Sequence, residues 1–144
     1  DIELLIIGKA GVNHTKYVRA CKAAAGSNVK FVSQLPFDQL IHYFKTARVH
    51  VLPSWFETTG LSSLEAAALG CNVVVTTKGD TEEYFQKDAW YCNPADIKNI
   101  ENVVMDAYNA EQNQNLAQRI QKDYVWDITA KKTLDAYKEV LKLG

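Results

Sequence analysis

The stretch SWFETTGLSSLE, residues 54–65, is the part of this chain that best indicates its fold. It follows an apolar run that ends at Pro53 (VHVLP) and precedes a run of helix-forming residues (AAALG). This order predicts a strand, a turn and a helix that begins near Gly60 or Leu61. Open α/β sheets bind their ligands in the crevice at the carboxyl ends of the strands. We therefore expect a ligand site at this turn.

The chemistry of the turn indicates what kind of ligand it binds. The first N–H groups of a helix are unpaired and lie at the positive end of its dipole, which favours an anion such as a phosphate. Gly60 has no Cβ and lets the backbone approach a ligand closely. Glu57 before the helix and Glu65 inside it carry acceptors for hydroxyl groups. A sugar nucleotide, with hydroxyls at both ends and a diphosphate between them, has this combination.

Composition excludes several other classes of protein. The 144 residues, 47% of them hydrophobic and 23% charged, are enough for one globular domain with a core. The net charge of −1 gives no electrostatic reason to expect nucleic acid as a partner. The first apolar run is too short to span a bilayer, and no basic segment precedes it. Because the sequence shows no export signal, we expect a cytoplasmic protein. Three widely spaced cysteines without a C-x-x-C motif favour buried thiols in a reducing compartment.

The remaining sequence alternates strand-like and helix-like segments. The predicted strands are residues 2–7, Val29–Val32, Val49–Leu52, Val73–Thr76 and Trp90–Cys92. The predicted helices run from an N-cap at Asn13 to Ala25, over Phe37–Thr46, from the turn to about Leu69, from Thr81, and from Asp96 onward with breaks near Asn109–Asn113 and Trp126–Asp127. This alternation predicts a single α/β domain with a parallel sheet covered by helices on both faces.

The order of these features resembles the C-terminal, nucleotide-sugar-binding domain of retaining glycosyltransferases with the two-domain GT-B architecture. The resemblance rests on PSWFETTGLSSLEAAALG, with seven residues between its two glutamates, followed by VVVTT, KGDTEEYF and WYCNPAD. It covers nearly the whole chain. It implies a Rossmann-like fold, the C-terminal half of a GT-B enzyme, whose first strand unit lies upstream of residue 1. The chain opens inside a strand-like run without Met, which also favours a piece of a longer polypeptide.

The resemblance implies a role for each residue of the turn. Glu57 is the expected catalytic residue and would hold hydroxyls of the donor sugar. Thr59, Gly60 and Leu61 would offer backbone N–H groups to the distal phosphate or the sugar. Glu65 would accept hydrogen bonds from the ribose hydroxyls.

The resemblance also implies partners and a second group of binding residues. Ser33, Gln34 and Leu35, after the second strand, would border the nucleobase. The donor would be a nucleotide diphosphate sugar, with neither metal nor other cofactor. The acceptor would be a saccharide or a lipid-linked sugar, and an N-terminal GT-B domain of the same chain would complete the enzyme and place it in the cytoplasm or at the inner face of the membrane. The chain departs from the family at Gly79-Asp80, where two glycines are common.

Several residues have other interpretations. Ser62 to Glu65 also forms a capping-box pattern, in which the glutamate satisfies a backbone N–H. Gly60 also fits a turn without a ligand. Glu57 has no helix of its own to serve, so ligand contact is the favoured interpretation. We expect Trp55 and Phe56 to pack in the interior rather than to stack on a base.

Two functions other than sugar transfer remain open. The chain could be a non-catalytic module that binds a sugar nucleotide or docks a partner, or it could belong to a sugar-nucleotide epimerase, which shares this architecture. The hypothesis of a retaining hexosyltransferase predicts that the 144 residues alone bind a sugar nucleotide weakly and do not turn it over.

Overall fold

The computed structural model describes residues 2–142 of the chain. The chain divides into two compact units, Asp1–His42 and Tyr43–Gly144. Each unit has its own sheet, and every strand pair in both sheets is parallel.

The first unit contains a two-stranded sheet, in which β1 (Leu4–Ile7) pairs with β2 (Val29–Val32). Helix α1 (Thr15–Ala24) joins the two strands. The prediction of Asn13 as N-cap is wrong: a turn closed by the His14 N–H on the Gly11 carbonyl (2.9 Å) delays the helix, and His14 holds the N-cap position. Helix α2 follows β2 with the bounds that its apolar spacing predicts, and the unit boundary falls inside it (Phe37–Thr46).

The second unit contains a three-stranded sheet in the order β3 (Val49–Leu52), β4 (Asn72–Thr76), β5 (Trp90–Cys92). Helix α3 (Leu61–Ala68) connects the first two strands. The remaining helices are α4 (Thr81–Phe85), followed by a 3-10 turn at Gln86–Asp88, α5 (Ile97–Asn109), α6 (Gln114–Asp123) and α7 (Trp126–Lys142).

Helices cover both faces of this sheet. Val73 and Val75 of β4 pack on one side in a cluster with residues of α3 and α6. Val74 packs on the other side with Ala107 of α5. All five residues of β4 are buried, as expected for a central parallel strand. The predicted α/β class, with parallel strands between helices, is confirmed.

The helical pattern at the end of the chain is broken close to where the sequence predicts. The break expected near Trp126–Asp127 lies at Tyr124 and Val125, and α7 begins at Trp126. The side chain of Trp126 is 78% exposed. Within residues 2–142 no helix combines the length and the apolar character that a membrane crossing requires.

Candidate functional site

The candidate site begins where β3 ends. Residues 53–60 form the turn, and α3 starts at Leu61, as the sequence predicts. Gly60 is the N-cap residue and has φ +63°, in the left-handed region that favours glycine. The turn therefore presents the N-terminus of α3 at the carboxyl edge of the sheet, where α/β proteins place their ligands.

Glu57 lies half-buried in this turn and accepts a hydrogen bond. Its Oε1 receives the N–H of Gly60 at 3.1 Å. This contact corrects two expectations. Glu57 does bond to the backbone at the start of a helix, since Gly60 is the N-cap of α3, and the Gly60 N–H is already paired with a protein group. The left-handed backbone at Gly60 turns that N–H towards the carboxylate. Among the described residues no group donates to Oε2, which leaves one carboxylate oxygen for a hydroxyl group.

Two N–H groups at the start of α3 are unpaired. The N–H groups of Ser63 and Leu64 donate to the Gly60 carbonyl at 2.8 and 3.0 Å. Those of Leu61 and Ser62 have no acceptor among the described residues, and no side chain caps this end of α3. Two free donors at the positive end of a helix dipole are an arrangement that favours an anion. Thr59 precedes them in the turn, half-buried.

Glu65 lies four residues after Leu61, on the same face of α3. Burial raises the pKa of this half-buried carboxyl. The capping-box interpretation is wrong, because Ser62 lies inside the helix and the N-cap is Gly60. Among residues 2–142, no group donates a hydrogen bond to the Glu65 carboxylate.

A second loop reaches Glu57 from the end of β4. The Glu57 N–H donates to the Lys78 carbonyl at 2.9 Å, and the Asp80 N–H donates to the Glu57 carbonyl at 3.0 Å. Gly79 lies between them with φ +107°, and a Cβ there would overlap the carbonyl oxygen of Glu57. Sequence reasoning left Gly79 out of the site, although an isolated glycine directly after a strong strand was an available signal.

His50 is the second residue of β3, the strand that leads into the turn. Its Nε2 is 3.1 Å from the hydroxyl of Ser63, and its ring meets Phe44 edge-on with centroids 5.6 Å apart. Burial lowers the pKa of the imidazole to about 4, so the ring is neutral at pH 7. Ser63 is completely buried in the first turn of α3. The contact between these two residues is a feature that the sequence did not reveal.

Trp55 and Phe56 do not pack in the interior as predicted. They are 71% and 68% exposed. The interior beside β3 is already filled by residues of α3 and α6, so the two rings that precede Glu57 face solvent.

The residues predicted to border a nucleobase belong to the first unit. Ser33 and Gln34 follow β2 and are exposed. Together with Gly8 and Lys9, after β1, they line a cavity of about 730 Å³. Leu35 is half-buried and is not part of the cavity wall.

A metal site is not assembled in the part of the chain that the structure describes. Residues 2–142 contain no group of three or more His, Cys, Asp or Glu side chains arranged to hold a metal ion.

Comparison with known proteins gives one family. The family described as "Glycosyl transferases group 1" matches residues 1–123. An uncharacterised glycosyltransferase of Methanocaldococcus jannaschii is 32% identical over 122 residues, which are 80% of this chain and 31% of that protein. The glycogen synthase of Mycobacterium tuberculosis is 30% identical over 115 residues, 75% of this chain and 28% of the synthase.

The fold has a close counterpart among solved structures. A sucrose-phosphate synthase from Thermosynechococcus elongatus superposes with a TM-score of 0.83 at 22% identity, covering 99% of this chain and 39% of the synthase. At that identity the likeness shows the fold, which is that of a GT-B glycosyltransferase half. The chain spans about a third of the length of the curated relatives that it matches.

Proposed function

Since this chain belongs to the group 1 glycosyltransferase family, we propose that it is the donor-binding part of a transferase. That enzyme moves a sugar from a nucleotide diphosphate sugar to an acceptor hydroxyl with retention of configuration. The observation that carries the proposal is the pairing of an open carboxylate oxygen on Glu57 with the free N–H groups of Leu61 and Ser62 at one sheet edge.

In this proposal, the N-terminus of α3 stabilises the leaving group, which is the diphosphate. Negative charge grows on the diphosphate as its bond to the sugar breaks. Fixed N–H donors and a helix dipole stabilise such charge without reorganising, which lowers the barrier. The free N–H groups of Leu61 and Ser62 are placed to do this. Glu65, on the same face of α3, accepts hydrogen bonds from the ribose hydroxyls.

Glu57 orients the sugar. Its Oε1 is held by the Gly60 N–H at 3.1 Å, which fixes the direction of Oε2. A fixed oxygen that accepts from sugar hydroxyls aligns the anomeric carbon so that the acceptor attacks from the leaving-group face. In this proposal Glu57 is a binding and orienting group and is not a nucleophile. Ser33, Gln34 and Leu35 keep their proposed place beside the nucleobase, and no metal takes part.

The remaining partners are proposed on the same basis. An N-terminal GT-B domain supplies the acceptor site for a saccharide or a lipid-linked sugar. The 144 residues alone then bind the donor weakly and do not transfer the sugar.

Titration calorimetry with uridine, guanosine and adenosine diphosphate sugars tests the donor site. We expect one nucleotide class to bind the full-length protein, and Glu57→Gln to weaken that binding roughly 30-fold, since a hydrogen bond to a charged acceptor contributes about 2 kcal/mol. Glu111→Gln is the matched control, because this glutamate is exposed and its carbonyl bonds to Asn72, at the amino end of β4. Its affinity should equal that of the wild type.

Product analysis separates the transferase from its alternatives. Sugar transfer to an acceptor supports the proposal, and conversion of the free donor to an epimer would indicate the epimerase. Binding without either reaction would indicate a non-catalytic module. Equal binding by wild type and Glu57→Gln would remove Glu57 from the site.

A further inference from the structure

We propose that His50 and Ser63 form a positioning pair, which holds the N-terminus of α3 in the geometry that presents Glu57 and the free N–H groups to the donor. Neither residue touches the ligand. The inference rests on the proposed donor site, and it adds the residues that keep that site in shape.

The first step is the contact between the strand and the helix. His50 lies in β3 and Ser63 in the first turn of α3, and their Nε2 and Oγ atoms are 3.1 Å apart. The edge-on ring of Phe44, 5.6 Å away between centroids, holds the imidazole in place. Ser63 is completely buried. This hydrogen bond therefore fixes the start of α3 against the strand that leads into the turn.

The second step connects Ser63 to the site. A Cβ placed on Gly60 would be 3.7 Å from the Oγ of Ser63 and 3.5 Å from the Cγ of Glu57, so both side chains border the same glycine. The Ser63 N–H also donates to the Gly60 carbonyl at 2.8 Å. A displacement of Ser63 is thus transmitted directly to Gly60, whose N–H holds the carboxylate of Glu57.

The third step is the choice of residue. Positions 66 to 68 of the same helix are alanine, and two of them are as buried as Ser63. Alanine would fill position 63 with nearly the same volume. A hydroxyl buried there needs a partner, and the partner is a histidine, whose ring nitrogen provides a directional bond. Such a directional bond fixes the position of the helix more precisely than apolar packing alone.

The experiment compares Ser63→Ala, His50→Phe and the double variant in the full-length protein. The amide resonances of Gly60, Leu61 and Ser62 are followed by NMR without ligand, and donor affinity is measured with whichever of UDP-, GDP- or ADP-glucose the wild type binds. We expect each single variant to shift these resonances and to weaken donor binding about 10-fold. The double variant should be no worse than either single one, because both remove the same bond. His50→Gln, whose amide nitrogen reaches the position of Nε2, should restore most of the affinity.

Cys92→Ala is the matched control. Cys92 is buried in β5 and packs with Val74 and Ala107, on the face of the sheet opposite to α3. The substitution should lower the melting temperature without shifting the three amides or the affinity. The proposal is overturned if Ser63→Ala lowers the melting temperature as Cys92→Ala does and leaves the Gly60 amide unmoved. That ligand-free result stands even if no sugar nucleotide binds the wild type, an outcome that would reject the donor site itself.

Discussion

The amino and carboxyl ends of the three-stranded sheet differ in how their polar groups are paired. At the amino end Asn72, the first residue of β4, is completely buried and all its amide groups are paired. Its Nδ2 donates to the carbonyls of Ala107 (2.8 Å) and Glu111 (3.2 Å), and its Oδ1 accepts the N–H of Asn113 at 3.1 Å. At the carboxyl end, Oε2 of Glu57 and two N–H groups of α3 have no partner among the described residues.

Further hydrogen bonds at the amino end pair the polar groups at the ends of the neighbouring helices. Arg48 donates to the carbonyls of Tyr108 and Ala110, where α5 ends, and its guanidinium lies over the ring of Tyr108 at 5.6 Å. A cation there is also favoured by the helix dipole. The side chain of Asn113 caps α6 by accepting the Leu116 N–H at 3.0 Å. Polar groups at this end serve the stability of the fold.

The difference between the ends distinguishes polar residues that stabilise the protein from those available to a ligand. Buried polar groups are normally paired, as those at the amino end are. The unpaired groups at the carboxyl end belong to the exposed Leu61 and the half-buried Glu57 and Ser62, where a ligand can reach them. Substitutions at the amino end should therefore reduce stability and spare binding. Those at the carboxyl end should reduce binding as well.

The largest effect on stability is expected from Asn72→Ala. It leaves the buried Ala107 carbonyl and two part-buried groups, the Glu111 carbonyl and the Asn113 N–H, without their partners. Each unsatisfied group costs about 1 to 3 kcal/mol, so the free energy of unfolding should fall by about 4 kcal/mol. Urea unfolding measures this loss, and Asn115→Ala, on the exposed face of α6, should stay within about 0.5 kcal/mol of wild type. Donor affinity of the folded variant should be unchanged. A variant that keeps its stability and loses donor binding would contradict the division between the two ends.

Gly79→Ala should affect both properties. The added Cβ overlaps the Glu57 carbonyl and the backbone has φ +107°, so the two hydrogen bonds between the loops are lost and strain is added. We expect a loss of about 3 kcal/mol in stability and of at least 10-fold in donor affinity. Gly70→Ala is the control, since its φ is +96° but no atom lies within 4 Å of the added Cβ. It should cost about 1 kcal/mol and leave the affinity intact. Equal effects of the two variants would show that the loop contact does not shape the site.

A smaller effect is expected from pH. The pKa of His50 in the folded protein is lowered to about 4, against 6.5 for the free side chain, so only the unfolded chain gains a proton as the pH falls from 7. The contribution of neutral His50 to the free energy of unfolding is fully present above pH 6.5 and is lost as the pH falls towards 4. The loss is about 2 kcal/mol between pH 7 and pH 5. Unfolding at both pH values measures this. His50→Phe should remove most of the dependence, whereas His14→Gln, at an exposed site, should retain it. An unchanged slope in His50→Phe would assign the dependence to other groups.

Sequence patterns predicted the central elements of the chain well because these elements have strong local signals. The β-branched run Val73–Thr76 and the apolar spacing in Phe37–Thr46 depend on residues close together in the chain. The strand, turn and helix around residues 54–65 were predicted for the same reason. The cap of α1 was placed one residue too early, at Asn13 instead of His14, since helix ends depend on a few weak contacts.

The sequence by itself determined the α/β class, the parallel strands, the turn that carries Glu57 and Gly60, and membership of the group 1 glycosyltransferases. Only the tertiary structure decided which polar groups are free. Oε1 of Glu57 is occupied by Gly60, the loop of Gly79 closes on a residue 22 positions earlier, and His50 supports Ser63 across 13 positions. Local patterns follow from the periodicity of helices and strands. These pairings instead depend on how α3 and the loop at Gly79 pack against the carboxyl end of the sheet.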